Sequence, residues 1–186
     1  MRKAFTLAEV LITLGIIGVV AALTMPALIA KYQKQVTITK LKKVYSILNQ
    51  AMKLSEVDNG DYDTWDTTLS ASDYVDKYWL PYFKVMKVCD TYKACGYSKS
   101  APFIAPNGTA DVTSVVIVTN RKTFVTTDGT LYSIWTIDGI LGPSDDIVVD
   151  LNYSKPPNQW GRDVFRFTRV AGKGVLTKSY DTPDLS

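Results

Sequence analysis

The chain opens with a long apolar stretch and then changes to a mixed pattern of apolar and polar residues. After Arg2 and Lys3, the only charged residue before Lys31 is Glu9. At about 1.5 Å per residue, a helix over Val10 to Ala30 would reach across the roughly 30 Å of a bilayer core. The pattern therefore predicts one membrane-spanning helix with an acidic residue at its edge.

From Lys31 onward, apolar residues recur every three or four positions, which is typical of an amphipathic helix. We expect this helix, 31–58, to continue the span and to pack its apolar stripe under a globular domain. Asp58-Asn59-Gly60 predicts its end. The lysines on its other faces are expected to be solvated, or to contact lipid head groups where they lie nearest the membrane. The stripe comprises Leu41, Val44, Tyr45, Leu48, Met52 and Ser55, and the lysines are Lys40, Lys42, Lys43 and Lys53.

The globular domain, 59–186, divides into a connecting region, 59–110, and a β-rich region, 111–186. A short capped helix is expected before Pro81. The aromatic side chains of the connecting region either pack onto the long helix or stack on sugars or bases. They are Trp65, Tyr74, Tyr78, Trp79, Tyr82 and Phe83.

The last third of the chain alternates β-rich runs with turn signals, which predicts an antiparallel sheet. Asn120-Arg121 and Asp128-Gly129 separate the first three runs in hairpin fashion. A long helix followed by such a sheet predicts the α+β fold class. The predicted strands are Ser114–Thr119, Lys122–Thr127, Thr130–Ile137, Asp146–Leu151 and Asp163–Val170.

Composition narrows the function classes. The chain has 186 residues, a formal charge of +3 and no histidine. So small a net charge gives no reason to expect nucleic-acid binding. The commonest general base and the commonest zinc ligand are missing, and Gly172-Lys173-Gly174 lacks the Lys-Ser/Thr ending of a phosphate loop. We therefore do not expect an enzyme.

The two cysteines, Cys89 and Cys95, lie six positions apart. In a domain outside the cytoplasm this spacing favours a disulfide that closes a short loop. The alternative is a metal pair, which would be a poor zinc site without histidine or further cysteine.

The segment Ala4-Phe5-Thr6-Leu7-Ala8-Glu9-Val10-Leu11-Ile12 resembles the cleavage and methylation segment of type IV pilins and type II secretion pseudopilins. The resemblance implies a leader, 1–4, that prepilin peptidase cuts between Ala4 and Phe5. It also implies that Phe5 is N-methylated and that Glu9 pairs with the N-terminal amine of a neighbouring subunit. The family usually has Gly where this chain has Ala4. A secretory signal peptide or an ordinary signal anchor would have no need of Glu9.

The resemblance implies a structural role without catalysis. Helix 5–30 would serve as transmembrane and assembly helix, and the resemblance implies that it extends around Gly15, Gly18 and Pro26 when subunits pack. The subunit would sit in a bacterial inner membrane by one pass, with an extracytoplasmic C-terminal domain, and then in a periplasmic or surface filament. Its partners would be prepilin peptidase, other pilin or pseudopilin subunits and an inner-membrane assembly platform.

Two kinds of filament and one unrelated role fit the sequence. A type II secretion pseudopilus, which supports protein secretion across the outer membrane, is favoured by the chain length and an Asp-Val-Phe pattern near the C-terminus. A type IV pilus or competence pilin is the alternative within the family. The alternative outside it is a membrane-anchored extracytoplasmic binding domain that does not polymerise.

A C-terminal pattern, Asp150-Leu-Asn152 followed by Pro157-Asn158 and Asp163-Val-Phe, also resembles pseudopilin-like proteins. Major pseudopilins carry calcium in this region, so the resemblance implies a Ca²⁺ site at Asp150, Asn152 and Asp163, with Asp145 and Asp146 behind them. Oxygen ligands on a loop suit Ca²⁺. The alternative is a loop held by Asx turns.

Overall fold

The computed structural model describes residues 6–109, 117, 120–139, 142–170 and 174–177. The chain forms two compact units, Met1–Thr39 and Lys40–Ser186. A long N-terminal helix is followed by a six-stranded antiparallel sheet, so the predicted α+β fold class is confirmed.

Helix α1 runs from Leu7 to Asn59 and ends where the sequence predicts. Gly60 has a φ of 81°, and its N–H donates to the carbonyl of Glu56 at 3.0 Å. A left-handed glycine that returns this bond is a common way to end a helix. The stop signal at Asp58-Asn59-Gly60 is therefore confirmed.

The buried face of α1 differs from the predicted stripe at two positions. Tyr45 is 41% exposed, whereas Ala51 is buried. Tyr45 follows Val44 directly, and one residue turns a helix by about 100°, which carries Tyr45 off the stripe. The prediction for Tyr45 was wrong because it relied on the apolar ring of the side chain and not on the position of the residue around the helix. The buried set is Leu41, Val44, Leu48, Ala51, Met52 and Ser55.

The connecting region is an aromatic layer against the core. Helix α2, Ala71–Tyr78, begins at Ser70, whose hydroxyl accepts the N–H of Asp73 at 3.1 Å. The ring of Trp65 stacks on Tyr78, with centroids 4.5 Å apart, and Trp79 is fully buried. Two short 3₁₀ helices, Tyr62–Thr64 and Leu80–Tyr82, flank α2. Packing, the first of the two aromatic interpretations, is what this layer does.

The sheet consists of β1 (Val85–Cys89), β2 (Lys122–Thr126), β3 (Leu131–Gly139), β4 (Gly142–Asp150), β5 (Val164–Val170) and β6 (Gly174–Thr177). The strands lie in chain order, and each pairs antiparallel with the next. Four of these strands were predicted, with ends shifted by up to four residues. The predicted run Ser114–Thr119 lies outside the described residues except for Ile117, which is buried.

The two edge strands, β1 and β6, were not predicted. β1 lies within the connecting region and β6 has only four residues, so neither carries an alternating pattern long enough to identify. The register of β1 on β2 shifts between Val85 and Lys87, which marks a bulge at Met86. These two segments are strands because each pairs with a neighbouring strand in the folded sheet, and their own sequence does not predict this.

The sheet is covered on both faces. One face carries Phe124, Tyr132 and Phe165 and packs with the buried residues of α1 and α2 in one cluster. The other face carries Val125 and Val148 and packs with the loops around the cysteines. Cys89 and Cys95 form a disulfide with a Cα–Cα distance of 5.3 Å, which confirms the predicted bond.

Candidate functional site

The N-terminal half of α1 exposes apolar side chains on every side of the helix. Its best 18-residue window has a mean hydropathy of 2.3, and none of that window is buried. Within the described residues, this is one helix long and apolar enough to cross a membrane. A helix that is apolar all round needs lipid or other protein around it. The exposed residues include Leu7, Leu11, Ile12, Leu14, Ile16, Ile17, Val19, Leu23, Leu28 and Ile29.

Glu9 caps the start of this helix. Its Oε2 accepts the backbone N–H of Thr6 at 2.9 Å and the Thr6 hydroxyl at 2.8 Å. The N–H of Glu9 in turn donates to Oγ1 of Thr6 at 3.3 Å. This reciprocal pair is a capping box, and the Thr-x-x-Glu spacing before an apolar run was the signal that sequence reasoning missed.

The capping box gives Glu9 a role within its own chain. It supplies partners for a carboxylate and for helix-end N–H groups where lipid supplies none. The processing residues Ala4 and Phe5 lie outside the described residues, so the structure does not bear on the predicted cut. A role of Glu9 in assembly would use a carboxylate that already holds Thr6.

Gly15, Gly18 and Pro26 all lie inside continuous helix. An added Cβ at either glycine would meet nothing within 4 Å. Pro26 has no N–H to give to the carbonyl of Ala22, so the helix lacks one backbone bond there. Whether this segment extends during packing stays a prediction.

The three calcium candidates lie close together, Asp150 at the end of β4 and Asn152 and Asp163 on the loop between β4 and β5. Asp163 accepts the N–H of Asn158 at 3.0 Å and that of Gln159 at 2.6 Å, and the Asn152 amide donates to it at 3.3 Å. Asp150 accepts the N–H of Asn152 at 3.1 Å. These are the Asx-type bonds of the alternative interpretation.

The same loop retains unused oxygen atoms. The side-chain carbonyl oxygens of Asn152 and Asn158 are buried and have no hydrogen-bond partner among the described residues. The side-chain amide of Asn152 and the backbone N–H of Asn158 both donate to the Asp163 carboxylate, so the two residues lie beside it. Neutral carbonyl oxygens together with a carboxylate are ligands that Ca²⁺ takes. Asn152, Asn158 and Asp163 could thus hold a calcium ion. Asp150 has another partner, because the Tyr97 hydroxyl donates to its Oδ2 at 2.8 Å.

Asp145 and Asp146 lie four to five residues away along β4, on opposite faces of the sheet. Asp145 is fully buried and accepts hydrogen bonds from Trp79 at 3.1 Å and Thr136 at 2.9 Å. Burial raises the pKa of Asp145 to about 7, although these hydrogen bonds act to lower it. Asp146 forms an ion pair with Arg121.

Two lysines expected to be solvated hold α1 to the sheet domain. Lys43 pairs with Asp128 at 2.6 Å, and Lys40 donates to the carbonyl of Leu151 at 3.1 Å. Both residues remain exposed, as the helical pattern predicts, but the pattern could not identify their partners.

Within the described residues, no three His, Cys, Asp or Glu side chains converge in a way that could hold a metal ion. The exposed apolar helix with its capped N-terminus is the most distinctive segment of the described chain.

Comparison with known proteins assigns most of the chain to one family. Residues 27–168 match the family described as "Family of unknown function (DUF6613)". No curated protein and no solved structure matches the chain. The matched range covers more than half of the chain and includes the second half of α1, α2 and strands β1–β4 with most of β5. The chain therefore belongs to the DUF6613 family.

Proposed function

We propose that this protein is a pilin-like structural subunit, inserted in the bacterial inner membrane and assembled into a type II secretion pseudopilus. A filament of this kind supports protein secretion across the outer membrane. A type IV pilus or competence pilus is the alternative assembly. Prepilin peptidase and an inner-membrane assembly platform are the proposed partners besides other subunits, and no catalytic role is proposed.

The observation that carries the proposal is the exposed apolar helix with Glu9 at its N-terminal edge. A bilayer can cover the apolar side chains, but its hydrocarbon core offers a carboxylate no hydrogen bond and no opposite charge. A new N-terminal cation at Phe5 would give Glu9 a partner of opposite charge on a neighbouring copy. Because two charges in low dielectric are costly unless paired, the pair would set the register between subunits.

The antiparallel sheet domain after the helix supports the proposal in a general way. It gives the chain one anchoring element and one folded extracytoplasmic element, as a pilin-like subunit requires. The disulfide fits an oxidising compartment outside the cytoplasm.

The first experiment is mass spectrometry of the N-terminal peptide from protein extracted from its native membrane. We expect a peptide that begins at Phe5 and carries one added methyl group. A strain lacking prepilin peptidase serves as the control, and there the peptide should begin at Met1.

The other outcomes are equally informative. An intact Met1 start in the presence of the peptidase would contradict processing and favour a membrane-anchored binding domain that does not polymerise. A start near Lys31 would mean that the apolar run is a cleaved signal peptide, and the filament proposal would fail.

A further inference from the structure

A cleft of about 500 Å³ lies between the segment that precedes α2 and the outer part of β3. Its volume is in the range of small-molecule binding sites. Every lining residue belongs to the sheet domain, so the cleft is separate from the proposed assembly helix. The lining residues are Thr67, Leu69, Ser70, Ala71, Ser72, Asn120, Arg121, Trp135 and Thr136.

The cleft lies where β2 ends and β3 continues. Lys122, the first residue of β2, pairs with Ile134, so Trp135 lies one position beyond the last β2 pair. From there to Gly139, β3 is in register with β4. Asn120, with a φ of 54°, turns the chain at this end of β2. Within the described residues, no strand pairs with β3 at Trp135 on the β2 side.

Trp135 is the exposed aromatic wall of the cleft. It is 38% exposed, whereas Leu131, Tyr132 and Ile134 on the same strand are fully buried. The Arg121 guanidinium lies 5.6 Å from the centre of the indole and holds the ring in place. Among the described residues, the indole N–H has no hydrogen-bond partner. An indole held this way presents an apolar surface with a donor at its edge.

In the part of the chain that the structure describes, the charged side chains at the cleft are in ion pairs, and Asp146 is shared between Arg121 and Arg166. Arg121 is paired with Asp146 and also donates to the carbonyl of Ser133 at 3.1 Å. Lys122 at the rim is paired with Asp76 at 2.9 Å. What remains for a ligand is a set of hydroxyl and amide groups, which both donate and accept hydrogen bonds. A neutral, hydroxyl-rich ligand therefore suits the lining better than an anion.

The opposite wall is already ordered. Oδ1 of Asp66 accepts the N–H of Thr68 at 2.9 Å and its hydroxyl at 2.6 Å. The N–H of Asp66 donates to the hydroxyl of Tyr78 at 3.0 Å, and Leu69 packs against the core. A wall fixed in this way costs little conformational entropy on binding.

We propose that this cleft binds a neutral oligosaccharide. One sugar ring stacks its apolar C–H face on Trp135, and its hydroxyl groups bond with Thr67 and Asn120. Neither of these two side chains makes a hydrogen bond elsewhere in the described residues, so both are available. The inference is independent of filament assembly and holds for a subunit of any filament or for an anchored protein.

The test uses the full chain in phosphatidylcholine nanodiscs, because maltoside detergents would present glucose units to the cleft. Saturation-transfer NMR and calorimetry are run with three probes: maltohexaose, cellohexaose and chitohexaose. We expect at least one probe to bind. Failure of all three at millimolar concentration would overturn the proposal.

Variants place the binding in the cleft. Trp135→Ala should weaken binding about tenfold, whereas Trp135→Phe, which keeps a stacking surface, should stay within about threefold. Thr67→Tyr should block the cleft and leave the indole unchanged. If Trp135→Ala fails to fold, the loss of binding in Thr67→Tyr tests whether the ligand binds in the cleft. Tyr45→Ala removes an exposed aromatic outside the cleft and should change nothing. Binding that survives both Trp135→Ala and Thr67→Tyr would disprove the site.

Discussion

The indole of Trp79 donates its N–H to the carboxylate of Asp145 at 3.1 Å, and both side chains are fully buried. The bond joins the end of α2 to strand β4 in the interior of the sheet domain. Because burial raises the pKa of Asp145 to about 7, the native state takes up a proton there that the unfolded chain releases near pH 4.

The stability of the sheet domain should therefore fall as pH rises from about 4 to 7. Between those values the folded state binds more protons than the unfolded state, so the free energy of unfolding decreases, by up to about 1.4 kcal/mol per pH unit for one such group. Asp150, whose pKa burial also raises to about 7, should add to the slope. Urea unfolding of the full chain in detergent, followed by tryptophan fluorescence, measures it.

The control is Asp145→Asn, which keeps an acceptor oxygen for the Trp79 indole N–H, offers its amide N–H to the Thr136 hydroxyl oxygen, and cannot titrate. We expect a shallower pH dependence in this variant. On the acid side the trend should reverse, because the folded pKa of Asp128 is about 2; its burial is outweighed by hydrogen bonds from Lys43, Thr126 and Thr130. An unchanged slope in Asp145→Asn would show that other groups cause it.

A second prediction separates the two roles of Glu9. Glu9→Gln keeps a capping residue but removes the charge, whereas Thr6→Ala removes the cap and keeps the charge. If Glu9 pairs with a neighbour, Glu9→Gln should abolish filament incorporation and Thr6→Ala should largely preserve it. Sedimentation of sheared filaments from cells producing each variant measures incorporation.

The cap itself is measured independently. Thr6→Ala should destabilise the first turn by about 1 kcal/mol, which speeds amide exchange of the N-terminal peptide about fivefold in nanodiscs. Membrane insertion should be intact in both variants and in Glu9→Ala. If Thr6→Ala loses incorporation as completely as Glu9→Gln, capping alone would explain the requirement for Glu9.

A third prediction concerns the disulfide. Replacing both Cys89 and Cys95 by alanine should lower the free energy of unfolding by about 2 kcal/mol, as expected for a loop closed over six positions. Urea unfolding with and without reductant measures the effect. The wild-type protein should lose about the same amount on reduction, and a loss much larger than this would mean that the loop also orders the second core cluster.

A fourth prediction tests calcium. If Asn152, Asn158 and Asp163 hold the ion, millimolar calcium should raise the melting temperature, magnesium should not, and Asn152→Ala should remove the rise. If the loop is held by Asx turns instead, calcium should have no effect on any variant. Asp163→Asn would then still lower the melting temperature, because it weakens bonds to the N–H groups of Asn158 and Gln159.

Local patterns in the sequence were enough to predict α1, its end at Asn59 and the four longer strands of the β-rich region. They did not predict features that depend on contacts between distant parts of the chain. The apolar run that became β1 gave no alternation, and Ala51 gave no sign that it would replace Tyr45 in the buried stripe. Lys43 could be assigned to a face of α1, but its partner Asp128 comes from a hairpin 85 positions away.

The candidate site divides in the same way. The Thr6–Glu9 capping box is a local motif, and the Thr-x-x-Glu spacing in the sequence is enough to predict it. The cleft at Trp135 could not be predicted, because it lies where the pairing of β2 with β3 ends, and the sequence does not show that register. Whether a tryptophan in a strand is exposed depends on how the neighbouring strands are aligned. The residue type alone does not predict its exposure.

The bulge in β1 protects one edge of the sheet. An open sheet edge invites pairing with a strand from another copy. In β1 the register shift at Met86 interrupts the row of backbone groups, and Lys87 adds a charge to that edge. Copies of this protein should therefore resist fusing through the β1 edge of their sheets.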